Sequence, residues 1–288
     1  MIKNFIVLTK FVLSFAVSLS ALFAYIMAKG EIGTDMFIAT FAVLLVAMGV
    51  STLNQVQEYK EDALMDRTKH RPIASGKMSP TTGIIIAAIL VILSLIVIYD
   101  LIGTTGVNLF LFAFFWYNLV YTPLKKKSAL AVVPGAILGV IPPAIGWLAA
   151  GHALGEVEFY ALGIYYFIWQ IPHYWLLVML HYGGYKDAGY PTVMRLFGQG
   201  SLQRLTFVWL MMTIFAGYFM VSIFNPQSMS INILLIANAA FGFYSSLKLL
   251  QAKFELTDAR SVFWKINLAF LGAIILISID EMIQFNAL

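Results

Sequence analysis

The chain has 288 residues, of which 61% are hydrophobic and 11% are charged, and its net charge is +4 at pH 7. Soluble domains carry about 25% charged residues, so these charges are too few to cover a globule of this size. The composition excludes a soluble enzyme and a disordered chain. Because cysteine is absent, it also excludes a disulfide scaffold and a thiolate metal site.

Apolar runs of about 20 residues, the length that crosses a bilayer, recur along the whole chain. We predict an all-α, polytopic membrane protein in which nine transmembrane helices form one domain, residues 1–288, around a central cavity. The predicted helices are 9–28, 36–54, 81–100, 106–122, 129–150, 157–180, 204–224, 230–248 and 262–279.

The basic residues predict the orientation of these helices. Seventeen of the 18 Lys and Arg residues fall in alternate connections, and only Lys29 lies on the other side. The positive-inside rule makes the basic side cytoplasmic, so these charges do not indicate a nucleic-acid partner. Nine helices then leave the N-terminus inside and the C-terminus outside. The long polar connections, 55–80 and 181–203, are cytoplasmic, and we expect the chemistry at that face.

The first long connection begins with a row of oxygen ligands. Asn54, Glu58 and Asp62 are spaced i, i+4 and i+8, so a helix continuing through them would present all three on one stripe about 12 Å long. Carboxylate and amide oxygens suit Mg²⁺, which shares its coordination shell with substrate phosphates. One ion cannot bridge the stripe, which favours two ions or one ion with a second loop.

Basic side chains follow this row. Arg67 and Arg71 lie shortly beyond Asp62, and Lys125 and Lys126 enter from the next cytoplasmic connection. Acids that hold Mg²⁺ beside bases that hold phosphate oxygens indicate a diphosphate site. The alternative is a solvated loop in which acids and bases pair with each other. Because Asn54 lies inside an apolar run, where polar groups are costly, the diphosphate site is favoured.

Three ordered motifs between residues 50 and 195 resemble the UbiA superfamily of intramembrane prenyltransferases, and within it the protoheme IX farnesyltransferases. The first contains Asn54-Gln55, Glu58, Asp62, Met65, Arg67-Thr68 and Arg71-Pro72. The second contains Tyr121-Thr122-Pro123-Leu124-Lys125-Lys126, Gly135, Gly139, Pro142-Pro143 and Gly146-Trp147. The third contains Trp169-Gln170-Ile171-Pro172-His173-Tyr174-Trp175 and Ala188-Gly189-Tyr190-Pro191.

The chain departs from the family pattern at three places. Glu58 stands where Asp is commoner, and Lys126 stands where relatives often have Arg, which loses the bidentate fork. The third motif usually continues into an Asp-Tyr pair, where this chain has Gly184-Tyr185. Either the nearest acid, Asp187, supplies a second metal ligand from a shifted position, or the row Asn54, Glu58 and Asp62 does most of the metal binding.

Two histidines and two tyrosines have both structural and functional interpretations. His173 follows Pro172 in an apolar helix, where a hydrogen-bonded structural histidine is the usual case. The resemblance instead favours a ligand of heme iron or a polar group near the reacting vinyl. His181 could reach the same heme or be solvated. Tyr121 and Tyr174 are candidates to shield a carbocation with their π faces.

The resemblance implies transfer of a farnesyl group from farnesyl diphosphate to a vinyl group of heme b, with Mg²⁺ and addition of water, giving heme O. Membrane lipid surrounds such an enzyme, in a bacterial inner membrane, and heme-copper oxidase assembly or heme A synthesis supplies its partners. The alternatives are prenylation of a quinone precursor or other aromatic acceptor, a secondary transporter, and a non-catalytic heme carrier. A transporter would keep its polar groups near the midplane, whereas these acids lie at one face.

Overall fold

The computed structural model describes residues 2–287, and this range is helical, with no strand. The all-α prediction is confirmed. The α-helices are α1 (Ile2–Leu8), α2 (Phe11–Lys29), α3 (Thr34–Gln57), α4 (Tyr59–Leu64), α5 (Pro80–Phe115), α6 (Thr122–Leu124), α7 (Val132–Gly135), α8 (Ile141–Ala149), α9 (Val157–Asp187), α10 (Val193–Phe197), α11 (Gln199–Phe224), α12 (Met229–Ser246) and α13 (Leu256–Ala287). A π-helix (Trp116–Tyr121) and two 3₁₀ segments (Ala136–Val140, Leu247–Leu250) complete the order.

Seven stretches within residues 2–287 are long and apolar enough to cross a bilayer. One of them, Pro80–Leu124, contains two of the predicted spans, 81–100 and 106–122. The predicted span 157–180 lies in α9, which is not among the seven because its many polar and aromatic residues dilute its apolar character. The count of nine crossings stays a prediction.

The outer surface of the bundle is apolar. Large side chains such as Phe215 (72% exposed), Ile236 (72%) and Trp264 (67%) point away from the protein. A soluble protein does not expose apolar side chains on this scale, because water would drive them together. Together with the apolar helices, this surface identifies an integral membrane protein.

Helix α5 breaks where the sequence predicts a boundary between two spans. Gly103 has φ 64°, a left-handed conformation that only glycine adopts without cost, and Ile102 also leaves the helical region. The 36-residue helix is therefore two shorter helices joined at a glycine.

The proline-rich fifth span, 129–150, is also interrupted. It consists of α7, the 3₁₀ segment Ala136–Val140 and α8, with Pro142 and Pro143 in the first turn of α8. A Cβ atom on Gly146 would lie 1.9 Å from the carbonyl oxygen of Ala21, so glycine allows α8 and α2 to pack closely. The apolar core joins α2, α8, α9 and α13, and the polar side chains gather beyond it.

Candidate active site

A cavity of about 570 Å³ opens at the end of the bundle that carries the long polar connections. Its wall contains side chains from α3 and α4, the π-helix, α9, the segment before α10, and the junction of α1 with α2. The polar and charged side chains that line it are Lys10, Asn54, Glu58, Asp62, Arg67, Arg71, Tyr117, Tyr121, Lys125, Tyr174, Tyr185, Tyr190 and Thr192. Three segments far apart in the sequence, around residues 60, 120 and 190, therefore form one site.

The prediction of a single helix through Asn54, Glu58 and Asp62 is wrong. Helix α3 ends at Gln57, and Glu58 leaves the helical region with φ −119° and ψ 11°. Glu58 N still donates to Asn54 O (3.1 Å), and Asp62 N donates to Glu58 O (2.8 Å), so hydrogen bonds bridge the break. The turn is held because two other segments bind the Glu58 carboxylate. All three predicted ligands still line the cavity.

Asn54 is buried, and both ends of its amide are bound. Its Nδ2 donates to Glu58 Oε2 (2.9 Å) and to Thr122 Oγ1 (3.3 Å). Its Oδ1 accepts a hydrogen bond from Lys10 Nζ (3.0 Å). These partners fix which end of the amide is the oxygen, and that oxygen faces a cation.

Glu58 as a whole residue is 4% exposed, and its carboxylate is bound from two other segments. Lys125 Nζ lies 2.7 Å from Oε2, and the Tyr190 hydroxyl donates to Oε1 over 3.1 Å. Burial, followed by the negative charge of Glu58, raises the pKa of Tyr190. The phenol therefore stays protonated and remains a hydrogen-bond donor.

Asp62 is 2% exposed and pairs with Arg71. The guanidinium Nη1 lies 2.7 Å from each carboxylate oxygen, and the Thr68 hydroxyl donates to the Asp62 carbonyl (2.9 Å). A buried carboxylate costs several kcal/mol unless it is paired, which explains why an arginine reaches it from nine residues away.

Aromatic side chains form another part of the wall. Tyr121 lies in the π-helix, and Lys125 Nζ is 5.5 Å from its ring centroid. A Cβ on Gly135 would lie 2.7 Å from the Tyr121 ring, so this motif glycine makes room for the tyrosine. Short π-helices occur frequently at functional sites, since the extra residue redirects side chains.

Four predicted site residues do not line the cavity. Lys126 pairs with Glu61 at 2.6 Å on a more exposed surface. Asp187 and His181 are exposed at the end of α9, and neither contacts the acids of the cavity. His173 lies deeper in α9, where it contacts Asn267 of α13.

Lys10 is a cavity residue that the sequence predicts only as a topology charge. It sits between α1 and α2 with φ 47° and ψ 45°, which turns its side chain toward Asn54. Burial, followed by the positive charges of Arg71 and Lys125, lowers the pKa of Lys10 to about 7. Because most N-terminal lysines of membrane proteins only mark topology, the sequence carries no separate signal for this role.

The acids of the cavity suit a metal ion that takes part of its ligands from water and substrate. Among residues 2–287, no three His, Cys, Asp or Glu side chains are close enough to hold an ion by themselves. The cavity offers instead two carboxylates, Glu58 and Asp62, and the amide oxygen of Asn54. Such an incomplete all-oxygen set suits Mg²⁺, which retains water and substrate oxygens in its shell.

The family model of the UbiA prenyltransferase family matches residues 2–271 of the chain. This match covers the cavity and nearly all of the helices. The chain belongs to this family.

Several curated relatives within the family are named protoheme IX farnesyltransferase. The chain is 38% identical to the one from Oleidesulfovibrio alaskensis over 61% of its own length and 62% of the relative's. It is also 38% identical to the one from Geobacter sulfurreducens, over 54% of its own length and 57% of the relative's. For the one from Nitratidesulfovibrio vulgaris the identity is 31%, over 72% of each chain. The chain thus matches less than two thirds of the length of the first two relatives.

Two solved structures share the fold. A digeranylgeranylglyceryl phosphate synthase superposes with a TM-score of 0.78 and 15% identity, over 98% of each chain. A UbiA homolog from Archaeoglobus fulgidus bound to GPP and Mg²⁺ superposes with a TM-score of 0.72 and 16% identity, over 96% of this chain and 99% of the other. At these identities the likeness establishes the UbiA helical fold, which confirms the predicted fold class.

Proposed function

We propose that this protein transfers the farnesyl group of farnesyl diphosphate to a vinyl group of heme b, with addition of water, to give heme O. The observation that carries the proposal is the cavity in which buried Glu58 and Asp62 face Lys125 and Arg71 across ion pairs of 2.7 Å. The names of the curated relatives support heme b as the acceptor. We assign the whole activity to one domain, residues 1–288.

The acids fit Mg²⁺, and the bases fit a diphosphate. Asn54, Glu58 and Asp62 would supply oxygen ligands to Mg²⁺, and none of them is a soft or nitrogen ligand. Bound Mg²⁺ supplies positive charge that offsets the charge of the diphosphate. In this structure Lys125 is paired with the Glu58 carboxylate, and Arg71 is paired with the Asp62 carboxylate. With a cation held by the acids, Lys125 and Arg71 would be available to bind phosphate oxygens in the cavity that they line.

The reaction begins with loss of the diphosphate. Arg67, Arg71 and Lys125 line the cavity and stabilise the charge that develops on the leaving oxygen as the allylic C–O bond breaks. The electron pair of that bond leaves with the diphosphate, and a farnesyl cation remains. The π faces of Tyr121 and Tyr174, which also line the cavity, stabilise this cation and shield it from water.

The vinyl group of heme b then supplies the electron pair for the new carbon–carbon bond. The cation moves to the vinyl carbon next to the porphyrin ring, and a water molecule adds there and loses a proton. Farnesyl diphosphate, heme b and water thus become heme O, diphosphate and a proton, with no oxidant. A membrane cavity suits this order of events, since bulk water would capture the first cation too early.

We place the protein in a bacterial inner membrane with its N-terminus in the cytoplasm and its C-terminus outside. The basic connections support this orientation, and the curated relatives come from bacteria. The diphosphate is charged and soluble, so a cavity at the cytoplasmic face gives it a direct exit. The product would serve heme A synthesis or heme-copper oxidase assembly.

Mass spectrometry of the purified protein with heme b, farnesyl diphosphate and Mg²⁺ tests the proposal. We expect a heme heavier by one farnesyl group plus water, and no product after chelation of the metal. If diphosphate is released while heme b is unchanged, the acceptor is wrong and the prenyltransferase class stands. If folded protein changes neither substrate, the proposed function is wrong.

A further inference from the structure

The corner between α1 and α2 is part of the cavity wall, although it lies outside the three sequence motifs. Val7, Lys10 and Phe11 line the cavity, and Lys10 Nζ donates to Asn54 Oδ1 over 3.0 Å. The backbone of Lys10 is left-handed, with φ 47° and ψ 45°. A residue with a Cβ atom adopts this conformation only at an energetic cost, so other contacts must hold the corner in place.

Helix α3 supplies these contacts. Gln55 is 1% exposed, and its Nε2 donates to the carbonyl oxygens of Val7 (2.8 Å) and Leu8 (2.9 Å). Both carbonyls belong to the last turn of α1, which must find hydrogen-bond partners outside its own helix. Two neighbouring residues of α3 therefore fix the corner. Gln55 binds its backbone, and Asn54 binds the Lys10 side chain.

The charges that line the cavity leave a surplus of cations. The cationic side chains are Lys10, Arg67, Arg71 and Lys125, and the carboxylates are Glu58 and Asp62. Each carboxylate is already paired, one with Lys125 and the other with Arg71. Lys10 instead binds a neutral amide oxygen, while the positive charges of Arg71 and Lys125 act on it. An anion in the cavity would relieve this repulsion.

A diphosphate is an anion that fits this surplus. Its oxygens accept charge-assisted hydrogen bonds from lysine and arginine, and it keeps negative charge when one Mg²⁺ is bound to it. Lys10 also lies beside Asn54, the first of the oxygen ligands proposed for Mg²⁺. A ligand that bridges the metal and the cations of the cavity would therefore come within reach of Lys10.

We infer that Lys10 is a further residue that binds the diphosphate, and that Gln55 is the positioning residue that holds it there through the end of α1. The inference deepens the proposed function and rests on it, since the diphosphate is that of the prenyl substrate. Lys10 takes the role that the sequence predicts for Lys126, which pairs with Glu61 outside the cavity. Helix α1 thereby belongs to a site whose sequence motifs begin only at α3.

Calorimetric titration of the purified protein with inorganic diphosphate, at two Mg²⁺ concentrations, tests the inference. In Lys10→Met we expect the dissociation constant to rise at least about tenfold at both concentrations, because hydrogen bonds between charged groups are the strong ones. Lys10→Arg keeps a cation and should recover most of the affinity. The matched control is Lys3→Met. Lys3 is exposed on α1 and lies outside the cavity, so the constant should stay within about twofold.

Lys10→Gly removes the cation without straining the backbone. Glycine suits φ 47°, so this variant should resist thermal unfolding at least as well as wild type, and it should bind diphosphate as weakly as Lys10→Met. Gln55→Leu should weaken binding by about threefold or more, but it should cause no further loss in the Lys10→Met background, because a positioning residue acts through its target. An additive loss would remove Gln55 from the inference.

Wild-type affinity in both Lys10→Met and Lys10→Gly would overturn the inference. So would recovery of Lys10→Met at the higher Mg²⁺ concentration, since Lys10 would then act only on Asn54. In either case heme O formation by wild type would leave the proposed function standing. The opposite result, weaker diphosphate binding in Lys10→Met but no heme O from wild type, would support the role of Lys10 and remove the proposed acceptor.

Discussion

Two buried aspartates lie in very different environments. Asp62 (2% exposed) and Asp280 (1% exposed) are both carboxylates within a membrane protein. Asp62 lines the cavity and is bound by the flexible side chain of Arg71. Asp280 does not line it, and accepts hydrogen bonds from the backbone N–H groups of Gln227 and Ser228 (3.0 Å each).

This difference means that the partner of the Asp62 carboxylate can be exchanged, whereas the partners of the Asp280 carboxylate are fixed. Backbone donors just before α12 cannot leave Asp280 unless the connection between α11 and α12 rearranges, and Gln284 Nε2 adds a further bond of 2.6 Å. Arg71, in contrast, is a side-chain donor beside open space, so it can rotate into the cavity when another cation takes its place on Asp62. A buried acid that is bound by mobile cations beside open space can accept a metal, whereas one bound by backbone amides is structural.

Removal of the Asp62 carboxylate should have the largest effect. In Asp62→Ala we expect turnover to fall by about a thousandfold or more. Loss of a single group that stabilises developing charge lowers kcat by about 10²–10³, and here the metal ligand and the partner of Arg71 are lost together. The assay is formation of the farnesylated heme at saturating Mg²⁺.

Asp66→Ala is the matched control for that experiment. Asp66 lies in the same connection, but its side chain is 95% exposed and pairs with Lys69. Its removal should leave turnover within about twofold, as is usual for surface pairs. A fully active Asp62→Ala protein would show that the acids of this cavity do not hold the metal.

Lys125 should have the next largest effect. Lys125→Met keeps most of the side-chain volume, but it leaves Glu58 without its cation and removes a donor to the diphosphate. We expect kcat/KM for farnesyl diphosphate to fall about a hundredfold, since hydrogen bonds between charged groups contribute about 1.5–3 kcal/mol. Partial recovery in Lys125→Arg would support charge as the cause, whereas unchanged kinetics in Lys125→Met would contradict the assignment.

The fold could be predicted from the sequence because bilayer length and apolar runs leave few alternatives. Each of the nine predicted spans corresponds to helical structure, and the boundary between 81–100 and 106–122 falls at the break at Gly103. The polar row Asn54, Glu58 and Asp62 also lines one cavity, as predicted.

Tertiary contacts could not be predicted in the same way. The turn at Glu58 depends on Lys125 and Tyr190, which lie 67 and 132 residues away. The sequence indicates only a topology charge at Lys10, because nothing near it in the sequence shows that it reaches Asn54. Likewise, a histidine motif alone does not reveal the Asn267 that binds His173.

Asp280 should affect stability instead of activity. In Asp280→Ala two backbone N–H groups lose their acceptor, at about 1–3 kcal/mol for each group that stays buried. We expect the free energy of unfolding in detergent to fall by about 2 kcal/mol, with turnover per folded molecule unchanged. Asp280→Asn retains one acceptor oxygen, so its free energy of unfolding should fall by less. Reduced turnover in folded Asp280→Ala would mean that the two ends of the bundle are coupled.

Lys126 should have the smallest effect, although the sequence predicts it to bind phosphate together with Lys125. Lys126 pairs with Glu61 at 2.6 Å, and their side chains are 34% and 26% exposed, compared with 17% and 6% for Lys125 and Glu58. Exposed pairs contribute about 0–1 kcal/mol, so Lys126→Met should change kcat/KM by less than about fivefold. A loss equal to that of Lys125→Met would mean that Lys126 leaves Glu61 and enters the cavity when the diphosphate binds.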